Sequence, residues 1–170
     1  INVARFLPQS FYYFNAYAQL DKLGKADELV VCVPSGNFGN ITAGLFAYWM
    51  GLPIKRFVAA NNRNDVFLEY LNTGTYTPRP SVATLANAMD VGDPSNFARI
   101  IDLFSAFNDP HNEICALISG HRYMDEEIAS TMRAVYKEMG YILDLHGACG
   151  YQGLLDRDLS ETETGLFLET

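Results

Sequence analysis

The stretch Val30-Val31-Cys32-Val33-Pro34-Ser35-Gly36-Asn37-Phe38-Gly39-Asn40-Ile41-Thr42-Ala43-Gly44 decides how this chain is read. Val30 to Val33 is a short apolar run rich in β-branched residues, the pattern of a buried strand. Pro34 breaks it, and Ser35-Gly36-Asn37-Phe38-Gly39-Asn40 follows as a turn. Ile41 to Met50 then predicts a helix closed by Gly51 and Pro53. A strand, a glycine-rich turn and a helix in that order can hold a phosphate. Gly36 and Gly39 carry no Cβ, so the backbone can approach an anion and offer it several N–H groups. The first turn of the helix adds unpaired N–H donors and the positive end of its dipole. The turn contains no lysine or arginine, and this geometry needs none. The same residues also suit a tight strand-to-helix turn with no ligand, and the loop alone leaves both readings open. It lacks the G-x-x-x-x-G-K-[ST] of a nucleotide P-loop and the third glycine of a dinucleotide fingerprint. The phosphate it suggests is therefore not that of ATP or NAD.

Composition narrows the partners. At 170 residues the chain is long enough for one domain with a sizeable core. Its net charge of −8 argues against nucleic acid, whose binding needs clustered Lys and Arg. A phosphorylated small molecule stays open, because backbone donors act locally. No apolar run approaches membrane-spanning length and no secretory signal is visible, which argues against a membrane partner. Cys32, Cys115 and Cys149 are odd in number and widely spaced, and read as reduced thiols of a cytoplasmic protein. The chain starts at Ile1 without a methionine and stops at Thr170 after an apolar, strand-like run. The expectation is a piece of a longer protein, with residues 1–170 forming a single α/β domain.

Working outward from the loop, Ser10 to Leu23 predicts a helix with Ser10 available as cap and Gly24 as stop. Its apolar residues occupy two sides, which predicts a buried helix. Ile54 to Ala60 is a second strand, reached across a helix and so parallel to the first. Asn61-Asn62-Arg63-Asn64-Asp65 lies at its carboxyl end, the edge where open sheets bind ligands. Asp65 is expected to cap a helix over 66–71, while Asn61 and Asn62 stay open to other roles. Residues 72–94 are irregular, and the middle of that stretch, Val82 to Val91, has a composition suited to packing under an active site. Asp93-Pro94 predicts a helix start, with Phe97, Ile100, Ile101 and Phe104 as its core stripe. Ile114 to Ile118 reads as a short strand. A helix follows from Asp125, with Ile128, Met132, Val135 and Met139 as its buried stripe and Gly140 as its end. Tyr141 to Leu143 reads as a brief strand, His146 to Leu155 as a helix, and Gly165 to Leu168 as a last strand. Alternating β and α units imply an open, mainly parallel sheet with helices on both faces.

The histidines, His111, His121 and His146, lie in separate segments without metal-ligand spacing, so no metal site is expected. A G-x-S-x-G elbow is absent. His146 reads either as a ligand contact or as a group hydrogen-bonded within the fold.

Five stretches, in order, carry a resemblance. They are Ile1-Asn2-Val3-Ala4-Arg5 with Gln9 and Tyr12-Tyr13; Ser35 to Asn40; Ala59 to Asp65; Ala83 to Val91 followed by Pro94-Ser95-Asn96-Phe97 and Arg99; and Gly140 to Tyr151, with Leu145 where proline is common. Together they resemble the threonine synthases, fold-type II enzymes that use pyridoxal 5'-phosphate and share the tryptophan synthase β-like fold. The match spans nearly the whole chain. It implies conversion of O-phospho-L-homoserine and water to L-threonine and phosphate, with the cofactor's pyridine ring as electron sink. By matching positions, Gly36, Asn37, Phe38, Gly39 and Asn40 would hold the cofactor phosphate, and Thr170 would meet the pyridine nitrogen. Asn2 and Arg5 would bind the substrate, with Arg5 a candidate for its phosphate; a helix-start cap and a structural ion pair are their bland alternatives. Serine or threonine dehydratases and cysteine synthases share the loop type but not Ala83 to Val91 with its Pro-Ser-Asn. A non-enzymatic phosphate-binding module on the same fold is the remaining alternative.

The resemblance also puts the cofactor lysine upstream of Ile1. Lys22, Lys25, Lys55 and Lys137 fall at helix ends, turns or a strand start, where a solvated charge is expected. The implied consequences are that this chain holds no catalytic residue, binds the cofactor weakly and is inactive alone. Apolar surface left uncovered would favour self-association.

Overall fold

A computed structural model describes residues 3–169. Strand β1 (Leu29–Pro34) pairs in parallel with β2 (Ile54–Asn61) on one side and with β4 (Thr164–Phe167) on the other. Strand β3 (Ile118–Arg122) runs parallel to β2 on its far side, giving the order β3-β2-β1-β4. All four carboxyl ends therefore lie along one edge of the sheet. Every residue of β1 is buried, as expected of a strand covered on both faces. Its side chains alternate between two cores. Leu29, Val31 and Val33 join Phe57 and Ala59 on one face, while Val30 and Cys32 join Val58 and Ala60 on the other.

The helices divide along the same line. The first core takes Phe6 from α1 (Val3–Phe6), Tyr13 from α2 (Ser10–Lys22) and Ile41 and Leu45 from α3 (Gly39–Trp49). It also takes Phe67 from α4 (Val66–Thr73), Ile100 from α5 (Phe97–Phe104) and Ile114 from α6 (Pro110–Leu117). The second core takes Ile128 and Val135 from α7 (Asp125–Met139) and Ala148 and Cys149 from α8 (Leu145–Arg157). The fold is the open parallel sheet with helices on both faces that the sequence predicts.

Several local expectations are corrected. Residues 114–117 are helical, because Asp109 caps α6 by accepting from Asn112 N–H at 3.1 Å and Pro110 sits in its first turn. Strand β3 begins only at Ile118. Helix α5 starts at Phe97 rather than at Asp93-Pro94. Asp93 accepts from the Tyr76 hydroxyl at 2.8 Å, and residues 94–97 close a tight turn instead. Residues 141–143 form no strand; the edge beside β1 is taken by β4, and Tyr141 and Ile142 are exposed. Helix α2 buries only Ser10 and Tyr13, leaving Phe11 and Tyr12 more than 60% exposed. Ser10 is no cap, since a 3-10 turn over Leu7–Gln9 runs straight into the helix and Ser10 Oγ donates to Leu7 O at 2.7 Å. Asp65 occupies the N-cap position of α4 without capping it, because its carboxylate pairs with Arg79 and Arg122. Met139 is exposed and outside the stripe formed by Ile128 and Val135.

Candidate functional site

The turn from β1 into α3 lies at the carboxyl edge of the central strand. Phe38 takes the N-cap position of α3 with φ 60° and ψ 16°, the left-handed region. That conformation costs a non-glycine residue about 1–2 kcal/mol. Burial of the Phe38 ring against Phe67, with centroids 4.7 Å apart, offsets it by about 2–3 kcal/mol. A left-handed residue set among right-handed neighbours turns successive N–H groups toward one concavity. The main-chain N–H groups of Gly36, Asn37, Phe38, Gly39 and Asn40 donate to no acceptor among the described residues. By contrast, Ser35 N–H is used on Ala60 O at 2.8 Å and Ile41 N–H on Asn40 Oδ1 at 2.8 Å.

The loop is braced from four directions. Asn40 Nδ2 donates to Pro34 O at 2.7 Å, so this side chain serves the loop rather than the space in front of it. The Tyr13 hydroxyl of α2 donates to Asn40 O at 2.7 Å; burial pushes that phenol's pKa far above its usual range. Asn37 Oδ1 accepts from Ser95 N–H at 2.7 Å and Ser95 Oγ at 2.9 Å, and Asn37 O accepts from Asn96 Nδ2 at 2.8 Å. Behind Gly36 lies the 3-10 turn Asn87–Met89: a Cβ on Gly36 would sit 2.6 Å from Met89 Cα. Of the stretch 82–91, Ala88 and Met89 pack directly behind the loop, while Val82 and Leu85 are exposed.

The loop opens onto a cavity of about 630 Å³. Its walls bring together Gly36, Asn37, Phe38, Gly39 and Asn40 with Arg5. Asn2 and Thr170 lie outside the described residues. His146, Gln9, Ala88, Met89 and Asn96 also line it. Of these, only His146 is read from sequence as a possible ligand contact; Gln9, Ala88, Met89 and Asn96 fall within the stretches that carry the resemblance, but no site role is expected of them there. His146 Nδ1 lies 3.3 Å from Asp144 Oδ1, and its Nε2 is buried with no hydrogen-bond partner among the described residues. A buried, unpaired ring nitrogen at the wall of a cavity with five free amides fits a ligand rich in acceptors and donors. At Gly39 a Cβ would meet nothing closer than Asn96 Nδ2 at 3.6 Å, so packing makes no demand for glycine there. The bare position instead leaves room for a group to approach the backbone. These features fit a phosphate ester.

Other chemistry is thinly represented. No cluster of His, Cys, Asp and Glu suited to a metal ion occurs among the described residues. Burial pushes the Cys149 thiol up to about 12 and the Cys32 thiol higher still, so both stay protonated at neutral pH and act as core residues. None of the four lysines lines the cavity. Lys55 is held by Glu28 and Glu163, each at 3.0 Å. No helix among the described residues is long and apolar enough to cross a membrane.

The family described as "Pyridoxal-phosphate dependent enzyme" matches residues 4–168. Threonine synthase of Haemophilus influenzae is 49% identical over 170 residues, covering all of this chain and 38% of that protein. The crystal structure of threonine synthase from Escherichia coli superposes with a TM-score of 0.88 at 44% identity, over 99% of this chain and 38% of its own. The structure of pyridoxal-phosphate-bound threonine synthase from Brucella melitensis gives a TM-score of 0.88 at 32% identity, over 100% and 40%. The chain thus spans well under half the length of these relatives.

Proposed function

The chain belongs to the family of pyridoxal-phosphate dependent enzymes, and from that premise we propose that residues 1–170 are the phosphate-gripping unit of a fold-type II threonine synthase. The reaction is conversion of O-phospho-L-homoserine and water to L-threonine and phosphate. One observation carries the reading: residues 36–40, whose five N–H groups meet no acceptor among the described residues, line the same cavity as Arg5.

Gly36, Asn37, Phe38, Gly39 and Asn40 hold the cofactor phosphate through the main chain, with the positive end of the α3 dipole behind them. When bound, pyridoxal phosphate supplies an electron sink in its pyridine ring. Arg5 offers the substrate phosphate a guanidinium fork, with two parallel donors. Asn2 assists at the substrate and Thr170 at the pyridine nitrogen. His146 Nε2 supplies a further polar contact in the wall. The lysine that joins the cofactor lies outside these residues, so the 170-residue chain by itself grips the phosphate weakly and turns nothing over. Apolar side chains on α2 and just past it, Phe11, Tyr12 and Leu23, are 62–69% exposed and give the isolated chain a face for self-association. Three free thiols support a reducing compartment, the cytoplasm.

The test is turnover by the protein as its gene encodes it. O-phospho-L-homoserine should yield phosphate and threonine in equal amounts, with serine and threonine as poor substrates. Rapid ammonia release from serine or threonine, without phosphate release from phosphohomoserine, would show a dehydratase instead.

A further inference from the structure

We infer that Asn96 is a positioning residue for the amide cradle, setting the direction of the Phe38 N–H by holding the carbonyl of the same peptide unit. The inference rests on the reading that this cradle takes the cofactor phosphate. Asn96 is only 3% exposed and stands at the N-cap position of α5, yet its side chain caps nothing. It is spent on two other contacts: Nδ2 donates to Asn37 O at 2.8 Å, and Oδ1 accepts from Arg99 Nη1 at 2.9 Å. A trans peptide is planar, so the C=O of Asn37 and the N–H of Phe38 point in opposite directions. Anchoring the carbonyl on Asn96 therefore turns the Phe38 N–H to the opposite side and opposes a flip of that peptide.

The anchor matters because the neighbouring conformation is uphill. Phe38 is left-handed, and a freed Asn37–Phe38 peptide could relax by rotating its N–H out of the cradle. Ser95 fixes the other end of Asn37, through its N–H at 2.7 Å and its Oγ at 2.9 Å on Oδ1. Two adjacent residues, 58 and 59 positions further along the chain, thus hold both the side chain and the carbonyl of one loop residue. The clasp continues past Asn96. The Arg99 guanidinium lies 5.0 Å from the centroid of the Phe6 ring, so the loop is tied to the helix that carries Arg5. The wall proposed for the substrate phosphate and the cradle for the cofactor phosphate then share one support.

The experiment titrates the gene-encoded protein and its Asn96→Ala and Ser95→Ala variants with pyridoxal phosphate and with pyridoxal, which lacks the phosphate. Asn96→Ala should weaken binding of the phosphorylated ligand about tenfold and Ser95→Ala about threefold, the scale of one lost hydrogen bond. Both variants should leave pyridoxal affinity within twofold. Equal losses for the two ligands, or no loss for pyridoxal phosphate, overturn the inference. Should Asn96→Ala fail to fold, Ser95→Ala decides by the same readout. A wild-type protein that binds both ligands equally refutes the cradle itself, and the clasp with it, whereas a phosphate-dependent wild type with indifferent variants refutes the clasp alone.

Discussion

Gly36 and Gly39 stand three residues apart in one turn and are glycine for different reasons. At Gly36 a side chain would collide with the main chain of Met89, which cannot yield as a flexible side chain could. Gly36→Ala should therefore destabilise the fold by about 1–3 kcal/mol, the usual range for overpacking, read as a lower urea midpoint. At Gly39 the added methyl makes only ordinary contacts, with Asn96 Nδ2 at 3.6 Å and Phe6 Cβ at 3.9 Å. Gly39→Ala should keep or raise stability by up to about 1 kcal/mol, since alanine leaves the unfolded chain fewer conformations to lose, yet weaken pyridoxal phosphate at least tenfold by crowding its phosphate. A Gly39→Ala protein with unimpaired cofactor affinity would mean that the phosphate does not lie over that residue. The sequence presents the two glycines as equivalent. Only the approach of residues 88–89 separates them, and nothing near position 36 in the chain signals it.

Among the elements, the strap over residues 79–93 depends on a polar cluster rather than on regular structure. Asp90 Oδ1 accepts from Asn62 Nδ2 at 2.7 Å, Asn64 Nδ2 at 3.0 Å and Thr84 Oγ1 at 2.7 Å, and Oδ2 accepts from Thr84 N–H at 3.0 Å. Asp90→Ala removes the charged acceptor shared by Asn62, Asn64 and Thr84, although both amides keep other acceptors such as Ala86 O and Val82 O, and should cost about 2–3 kcal/mol, with an accompanying loss of phosphate affinity as Met89 loosens behind Gly36. A change below about 0.5 kcal/mol in urea unfolding would show that the strap is held by its apolar residues instead. A second tie joins the amino-terminal ends of β1, β2 and β4. Glu163 Oε2 accepts from Ser160 N–H at 3.0 Å and Oε1 meets Lys55 at 3.0 Å; these bonds lower its pKa to about 2. Its contribution is complete above the unfolded value near 4.5 and disappears as pH falls through about 2. Glu163→Gln should therefore flatten the acid loss of stability between those values, and an unchanged profile in thermal melts from pH 5 to 2 would contradict the assignment. Strands β1, β2 and β4 and the turn after β1 are legible because apolar, β-branched runs and glycine punctuation are local. The Asp90 cluster is not, because its partners lie up to 28 positions away. Helix α6 differs from the strand expected there because an apolar run of five suits either period, and the deciding signal is the Asp109-Pro110 cap ahead of it.

The chain covers 38% of the length of its bacterial relatives, and it carries an apolar face at Phe11 and Tyr12. Replacing both by serine should reduce concentration-dependent self-association of the isolated chain in sedimentation velocity; unchanged association would place the contact elsewhere. The central claim is that main-chain amides, with no lysine or arginine among them, grip the cofactor phosphate at the head of α3. A crystal structure of the gene-encoded protein with pyridoxal phosphate tests it most directly. The account predicts phosphate oxygens about 3 Å from the N–H groups of residues 36–40. A phosphate bound by side chains elsewhere on the sheet edge, with those five amides facing only water, would contradict it.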